Sequence, residues 1–492
     1  MVRADLAPGS LRMSFAFRPA GRRALACASL AVLAATLAPA RAAERPPNIL
    51  LIVADDLGYG DLGPYGQGRI ATPNLDRLAA QGVRFTRAYA GSTVCAPSRC
   101  ALMTGLHTGH ARIRGNARVP LEPGDVTVAE VLKSAGYATG LVGKWGLGEP
   151  DSTGVPNRQG FDTFFGYLNQ QHAHNYYPDH LWRDEIKEPL AGNRVGPIPE
   201  IATERTQYAP DLFTREAIRF LETNRERPWF LYLATILPHA NNERGREEGN
   251  GMEIPPGAPE RARYADEPWP QPQKDHAAMI TKLDAEVGKV LDALDRLGLA
   301  DTTLVLFTSD NGPHKEGGAD PAFFGSSGPL RGYKRSLHDG GIRVPALARW
   351  PGHIRAGTTS DQVWAFWDVL PTFADLVGAK IPEGVDGISL AATLRGEPAV
   401  VPHPPLYWEF LEGGFAQAAL MEGRWKGLRP APGAPVALYD MDADPGETTD
   451  LAAQQPAVAA AVARFLDSAR TDSPDFPIRP AGARPKAAGA AR

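Results

Sequence analysis

The sequence predicts an α/β fold, with a large central, mostly parallel mixed sheet flanked by helices and a small C-terminal α+β subdomain. Three observations predict it. The runs "NILLIVADD", "YATGLVGKW", "WFLYLATILPH" and "TLVLFTSDN" are apolar over strand length and then end in polar residues, as strands buried on both faces of a parallel sheet do. Helical patterns separate these runs. After about Leu394 the strands shorten, through "ALYDMDADPGETTDL", and an Ala-rich helix closes the pattern. A chain of 492 residues with 43% hydrophobic content can bury a core on both sides of such a sheet.

The N-terminus carries Arg22 and Arg23, an Ala/Leu-rich run from Ala24 to Ala38, and Ala40-Arg41-Ala42, the small-x-small pattern a signal peptidase accepts. Residues 1–42 therefore read as an export signal, and a start at Met13 would give it an ordinary length. The Arg pair leaves a twin-arginine route open beside the general one. The apolar run is too short to cross a bilayer, and no other stretch approaches the roughly 20 apolar residues a span needs. The expected protein is exported, periplasmic or secreted, without a membrane span. Residues 43–394 then form the catalytic domain, 395–476 a subdomain packed on it, and 477–492, rich in Pro, Ala, Gly and Arg, a disordered tail.

Within the catalytic domain the first strand ends at Asp55 and Asp56. "TPNLDRLAAQG" follows as a helix, with Thr72 at its N-cap, Pro73 in its first turn and Gly82 as its stop. The next strands reach Lys144 and His239. Residues 241–273 are polar and rich in Gly, Pro and Glu, a long surface loop that either borders the substrate or is simply solvated. A helix runs from about Asp275 to Leu297, where Ile280, Leu283, Val287, Val290, Leu291 and Leu294 recur at helical spacing. The last of the four strands ends at Asp310 and Asn311. Ligands of α/β folds collect beyond the carboxyl ends of strands, and all four polar clusters sit there.

Removal of residues 1–42 takes away six Arg and one Asp, leaving 46 basic against 55 acidic residues, a formal charge of −9. No global basic field attracts a polyanion, which argues against nucleic acid as a partner. An anionic substrate must be held by local cations.

In "STVCAPSRCALMTG" the Cys95 thiol has three ordinary readings: a buried thiol, half of a disulfide with Cys100, or a thiolate at a helix start. A cysteine phosphatase loop places Arg six positions after its Cys, and position 101 is Ala. Two cysteines without clustered histidines also leave a zinc site short of ligands. The stretch Cys95-Ala-Pro-Ser-Arg99 followed by "CALMTG" does closely resemble the sulfatase signature, whose cysteine is oxidised to Cα-formylglycine (3-oxoalanine). The resemblance continues through "LLIVADDLGYGDLG", "TPNLDRLAAQG", "GLVGKW", "FTSDNGP", "YKRSLHDGGIRVPALARWPG" and "LYDMDADPGE", over nearly the whole mature chain. It is nearest to arylsulfatase and galactosamine-sulfatase types and implies the alkaline-phosphatase-like fold.

The resemblance implies hydrolysis of a sulfate ester by S–O cleavage, with one hydroxyl of the formylglycine hydrate attacking sulfur and the other later expelling sulfate. It also implies a formylglycine-generating enzyme as a maturation partner. Asp55, Asp56, Asp310 and Asn311 offer only hard oxygen ligands, suited to Ca²⁺ or Mg²⁺, and correspond to the sulfatase metal site, usually Ca²⁺. Arg99, Lys144 and Lys334 correspond to the cations that hold the hydrate and the sulfate oxygens. His239, in "ILPHANN", corresponds to the histidine that contacts sulfate and protonates the departing alcohol. One position departs: many sulfatases read Gly-Lys-Trp-His-Leu-Gly, whereas "GKWGLG" places Gly146 at the histidine. His172, His174 and His314 are the candidates for its role, and His314 is favoured by its nearness to Asn311. "QQHAHNYYPDHLW" combines aromatic and hydrogen-bonding side chains, as a sugar-binding rim would, and points to a carbohydrate sulfate. The rival readings are a phosphonate or phosphodiester hydrolase and an unmodified, catalytically silent binder of sulfated glycans.

Overall fold

The computed structural model describes residues 14, 46–397 and 400–478. The expected signal segment and nearly all of the expected tail lie outside the described residues. The four predicted strands are the four central neighbours of one ten-stranded sheet, in the spatial order Thr303–Ser309, Asn48–Ala54, Trp229–Ala234, Ala138–Lys144. All pair in parallel, as does Thr163–Tyr167 beside the last. Antiparallel strands extend both sides, Ala346–Arg349 on one and His180–Arg183 on the other, so the sheet is mixed but mostly parallel at its centre.

The continuous apolar runs are explained by burial on both faces. In Asn48–Ala54, Leu50, Ile52 and Ala54 enter one core while Ile49, Leu51 and Val53 enter the other, and every residue is buried. Helices Pro73–Ala80, Ala209–Asn224 and Gln271–Arg296 cover the first face. Helices Cys95–Thr104, Val128–Ser134 and Val369–Val377 cover the second.

Several details differ from the sequence reading. The long helix begins at Gln271, earlier than its apolar stripe, because Pro270 and Pro272 suit a helix start. Thr72 stands at the N-cap position of its helix but does not cap it; its hydroxyl donates to Asp76 Oδ1 at 3.0 Å. Gly82 has a packing reason beyond ending the helix, since a Cβ there would stand 2.0 Å from the Ala348 carbonyl oxygen. The 241–273 stretch is not bare loop but contains helices Asn242–Glu248 and Pro259–Ala262.

The small C-terminal domain is a four-stranded antiparallel sheet, Leu406–Phe410, Ala416–Met421, Trp425–Arg429 and Ala437–Asp440, in sequential order. Helix Pro456–Ser468 closes it by burying Val462 and Leu466 against Leu438 and Tyr407.

Candidate active site

The parallel register sets the floor of the site. Ala54 pairs with Ser309, so Asp55 and Asp310 leave adjacent strands side by side, and the Asp310 amide donates to the Ala54 carbonyl at 3.0 Å. Asp56 follows with φ 65°, a left-handed conformation that a short polar residue tolerates. Its amide donates to Asp310 Oδ1 at 3.1 Å, and its Oδ1 accepts from Asn311 Nδ2 at 2.7 Å. Three fully buried carboxylates and an amide thus share one patch.

Helix Cys95–Thr104 begins at this patch and contributes two residues from its first turns. Cys95 Sγ lies 3.4 Å from Asp55 Oδ1. Arg99 donates through Nε and Nη2 to Asp310 Oδ2 at 3.1 and 2.8 Å, and through Nη1 to the Lys144 carbonyl at 2.8 Å. Lys144 Nζ donates to Asp55 Oδ2 at 2.7 Å, and Lys334 Nζ to Asp56 Oδ2 at 2.8 Å. Lys334 also reaches Glu316 Oε2 and His239 Nε2, each at 3.3 Å.

These contacts settle protonation. Burial opposes the charge on Asp55, yet Lys144, then His239, Arg99 and Lys334, hold its carboxyl well below the usual range. Burial, followed by the charges of Asp55 and Asp56 against the pull of Arg99, pushes Asp310 up to about 7. Burial first and Asp55 second push the Cys95 thiol well above its ordinary value, so a thiolate nucleophile is disfavoured there. Cys95 and Cys100 are separate buried thiols, which removes the disulfide reading. Burial lowers His239 to about 3, and its Nδ1 donates to the Ala240 carbonyl at 2.6 Å, leaving Nε2 as an acceptor. Tyr176 holds that turn in place, its hydroxyl lying 2.7 and 2.6 Å from the carbonyls of Ile236 and His239.

The donor set fits a hard divalent cation. Asp55, Asp56, Asp310 and Asn311 present oxygen only, the carboxylates crowd one another, and Asn311 Oδ1 is buried without a hydrogen-bond partner.

Above the floor opens a cavity of about 420 Å³ that reaches Cys95, Lys144, His239 and Lys334. Of the three histidines considered for the Gly146 role, only His174 lines it; its Nδ1 pairs with Glu243 at 2.8 Å and its ring stacks 5.0 Å from His239. His314 does not line the cavity: it lies under the site, with a ring nitrogen within 4.8 Å of the Asp56 and Glu316 carboxylates, and has both nitrogens engaged, Nε2 with the Pro238 carbonyl and Nδ1 with the Glu316 amide, each at 3.2 Å. His172 points instead toward Tyr167 and His180. The expected aromatic rim is not found among the described residues: Tyr176 and Tyr177 are buried, and of the described ring-bearing side chains only His174 and His239 line the cavity.

What stands against Gly146 is Gln170. Gly146 has φ 83°, and a Cβ on it would lie 2.0 Å from Gln170 Nε2. Both Nε2 and Oε1 of Gln170 are buried without a hydrogen-bond partner, beside the cavity. Gln170, with Asn116, Glu149, Glu243 and Glu316, was missed in the sequence. These residues lie on loops or short helices without periodicity, and only the gap at Gly146 hinted that a substitute was needed.

Paired cations around buried carboxylates, open to a polar cavity, define a hydrolase built for an anionic ester of a tetrahedral oxyacid. Similarity to known proteins narrows the acid. The Sulfatase family model matches residues 47–379, and the model for the C-terminal region of N-sulphoglucosamine sulphohydrolase matches residues 332–470. Arylsulfatase A of Bos taurus is 35% identical over 470 residues, covering 86% of this chain and 87% of its own. N-acetylgalactosamine-6-sulfatase of Mus musculus is 35% identical over 419 residues, covering 81% of this chain and 74% of its own. The crystal structure of Ps i-CgsB in complex with k-i-k-neocarrahexaose superposes with a TM-score of 0.74 at 30% identity, covering 88% of this chain and 95% of that one. The chain belongs to the sulfatase family and is a sulfuric ester hydrolase. That family generally uses a metal ion and a formylglycine.

Proposed function

We propose that the protein is an exported carbohydrate sulfatase in which Cys95 is matured to Cα-formylglycine and Asp55, Asp56, Asp310 and Asn311 would hold a Ca²⁺ or Mg²⁺. The observation that carries the substrate class is the cavity wall. Among the described residues it is lined by Asn, Gln, Glu, Arg, Lys and His side chains together with Ala117 and Val119, and by no Trp, Tyr or Phe, so it offers hydrogen bonds to hydroxyls and no aromatic stacking face for a steroid or an aryl ring. The sugar sulfates in the names of similar proteins agree with this.

The formylglycine hydrate would supply the attacking hydroxyl and a route for releasing sulfate, and the cation would polarise a sulfate oxygen. The chain's own residues do the rest. Lys144 and Lys334 bring two buried ammonium groups to the floor, against Asp55 and Asp56, where they would bind sulfate oxygens. Arg99 holds Asp310 and the Lys144 carbonyl, fixing the floor. His239 presents Nε2 to the cavity in a fixed tautomer; an anionic ester placed against it favours its imidazolium form, which can protonate the leaving alcohol. Gln170 has no titratable proton and therefore orients substrate rather than replacing a base.

Mass spectrometry of the Cys95 peptide, combined with turnover of a panel of monosaccharide sulfates, 4-nitrophenyl sulfate and its phosphate and phosphonate analogues, tests the reading. Aldehyde at position 95 and fastest turnover of a sugar sulfate are expected. Unmodified Cys95 in active material overturns the mechanism; preference for a phosphonate or phosphodiester overturns the substrate class; tight binding of sulfated sugar without turnover makes the chain a silent binder. Export is checked by finding a mature N-terminus at Ala43 in the periplasm or medium.

A further inference from the structure

We propose that His172, His180 and Asp179 form a second metal site, for a borderline divalent transition metal of which Zn²⁺ is the best match. One ring nitrogen of each histidine and one oxygen of Asp179 lie within 4.8 Å of one another. The two imidazoles stack with centroids 4.5 Å apart and planes inclined by 30°. A second observation points to a ligand. Nε2 of His172 is buried without a hydrogen-bond partner in a residue that is only 9% exposed, so the structure gives this atom nothing to bind.

The third residue completes the chemistry. Asp179 Oδ1 lies 2.6 Å from His180 Nδ1, so a carboxylate oxygen and a ring nitrogen face one point, where an ion that displaces the proton between them is held by both. Two imidazoles and a carboxylate suit Zn²⁺, Ni²⁺ or Cu²⁺ and are a poor set for Ca²⁺ or Mg²⁺, which prefer oxygen. This site is therefore chemically distinct from the oxygen-only floor.

Its place in the fold gives the ion a consequence. His180 begins the strand His180–Arg183, second from one edge of the sheet, while His172 begins the short turn His172–His174, which carries His174 to the cavity directly after Gln170 and Gln171. An ion joining the two histidines ties that stretch of cavity wall to the sheet. The assignment does not depend on which ester the enzyme hydrolyses.

Isothermal titration with Zn²⁺ in excess Ca²⁺ provides the test, on the purified protein and its His180→Ala and Asp179→Asn variants, with Co²⁺ absorption in the visible as a second readout. The unsubstituted protein is expected to take up one equivalent more than His180→Ala. Asp179→Asn, which removes the anionic ligand, should bind more weakly by at least the roughly 10- to 100-fold lost when even an outer partner of a ligating histidine is removed. The Co²⁺ form should show a ligand-field band of a low-coordinate nitrogen and oxygen site that His180→Ala lacks. Equal Zn²⁺ uptake by the protein and His180→Ala, or uptake by neither, overturns the proposal and leaves the histidines a packed pair. Melting curves establish that His180→Ala is folded. If it is not, Asp179→Asn carries the comparison, because that side chain is 55% exposed and its loss is structurally mild; unchanged affinity in that variant overturns the proposal.

Discussion

Replacing Gln170 by Ala should lower kcat/KM for every sulfate ester, because this amide stands where a side chain on residue 146 would have to stand. Its Nε2 and Oε1 are buried and unpartnered, beside the cavity that opens onto Cys95 and Lys144, so the bound ester is their available partner. A hydrogen bond to a charged group is worth about 1.5–3 kcal/mol. At 1.36 kcal/mol per factor of ten, its loss corresponds to roughly a 13- to 160-fold drop in kcat/KM. Gly146→Ala should break the same contact from the other side, since the new Cβ would come within 2.0 Å of Nε2 and displace the amide. It should also lower thermal stability, because φ 83° costs a non-glycine residue about 1–2 kcal/mol. The double variant decides the matter. If both substitutions remove one interaction, the double variant is about as impaired as the worse single variant, a coupling expected only of residues in contact. Steady-state kinetics with 4-nitrophenyl sulfate and a monosaccharide sulfate, with a melting curve for each variant, supplies the measurement. Full kcat/KM in Gln170→Ala, or a double-variant loss equal to the product of the single losses, would refute the reasoning.

Two further outcomes follow from the same structure. Added Ca²⁺ should raise the melting temperature, by an amount equivalent to about 2.7 kcal/mol at a hundredfold excess over Kd, and Asp56→Asn should shrink that rise; a melting curve that ignores Ca²⁺ would remove the metal assignment of the oxygen cluster. Stability should also fall on mild acidification through His107, which burial, against the pull of Asp386, lowers from 6.5 to about 4. Below pH 6.5 the unfolded chain takes up this proton and the folded one does not until about pH 4, so stability present above 6.5 is lost as pH falls through that window. The interval of 2.5 pH units corresponds to at most roughly 3 kcal/mol. Urea unfolding at pH 7 and pH 5 should show this slope in the parent protein and a flatter one in His107→Gln.

The floor of the site was legible in the sequence because each of its residues ends an apolar run. Asp55, Lys144 and Asp310 directly follow or close strands whose composition announces burial on both faces, and parallel neighbours in a sheet deliver their last residues to one edge. Arg99 was reachable for another reason, since it lies one helical turn from Cys95 and so shares its face. Chain order alone does not say which of the four strands is central, but any parallel order would have converged the same side chains.

The walls follow a different rule, and the three candidate histidines show why. His314 is close to Asn311 in the chain, yet the turn that places Asn311 on the floor directs the next residues back toward Pro238, where the imidazole satisfies a carbonyl and an amide. Tyr176 and Tyr177 resemble a sugar platform in the sequence, but a loop crossing a deep cavity needs hydrophobic anchors of its own, and those rings are spent on burial and on holding the His239 turn. Gly146 is the reverse case. The missing histidine was visible in one motif, while its counterpart lay in a stretch without periodicity, where nothing in the chain marks Gln170 as different from Gln171. Only the three-dimensional fit relates them: a positive φ that favours glycine and an amide 2.0 Å from where its Cβ would be. A glycine at a position where relatives carry a functional side chain therefore poses a spatial question, about which neighbour has moved into the space, before it poses one about lost chemistry.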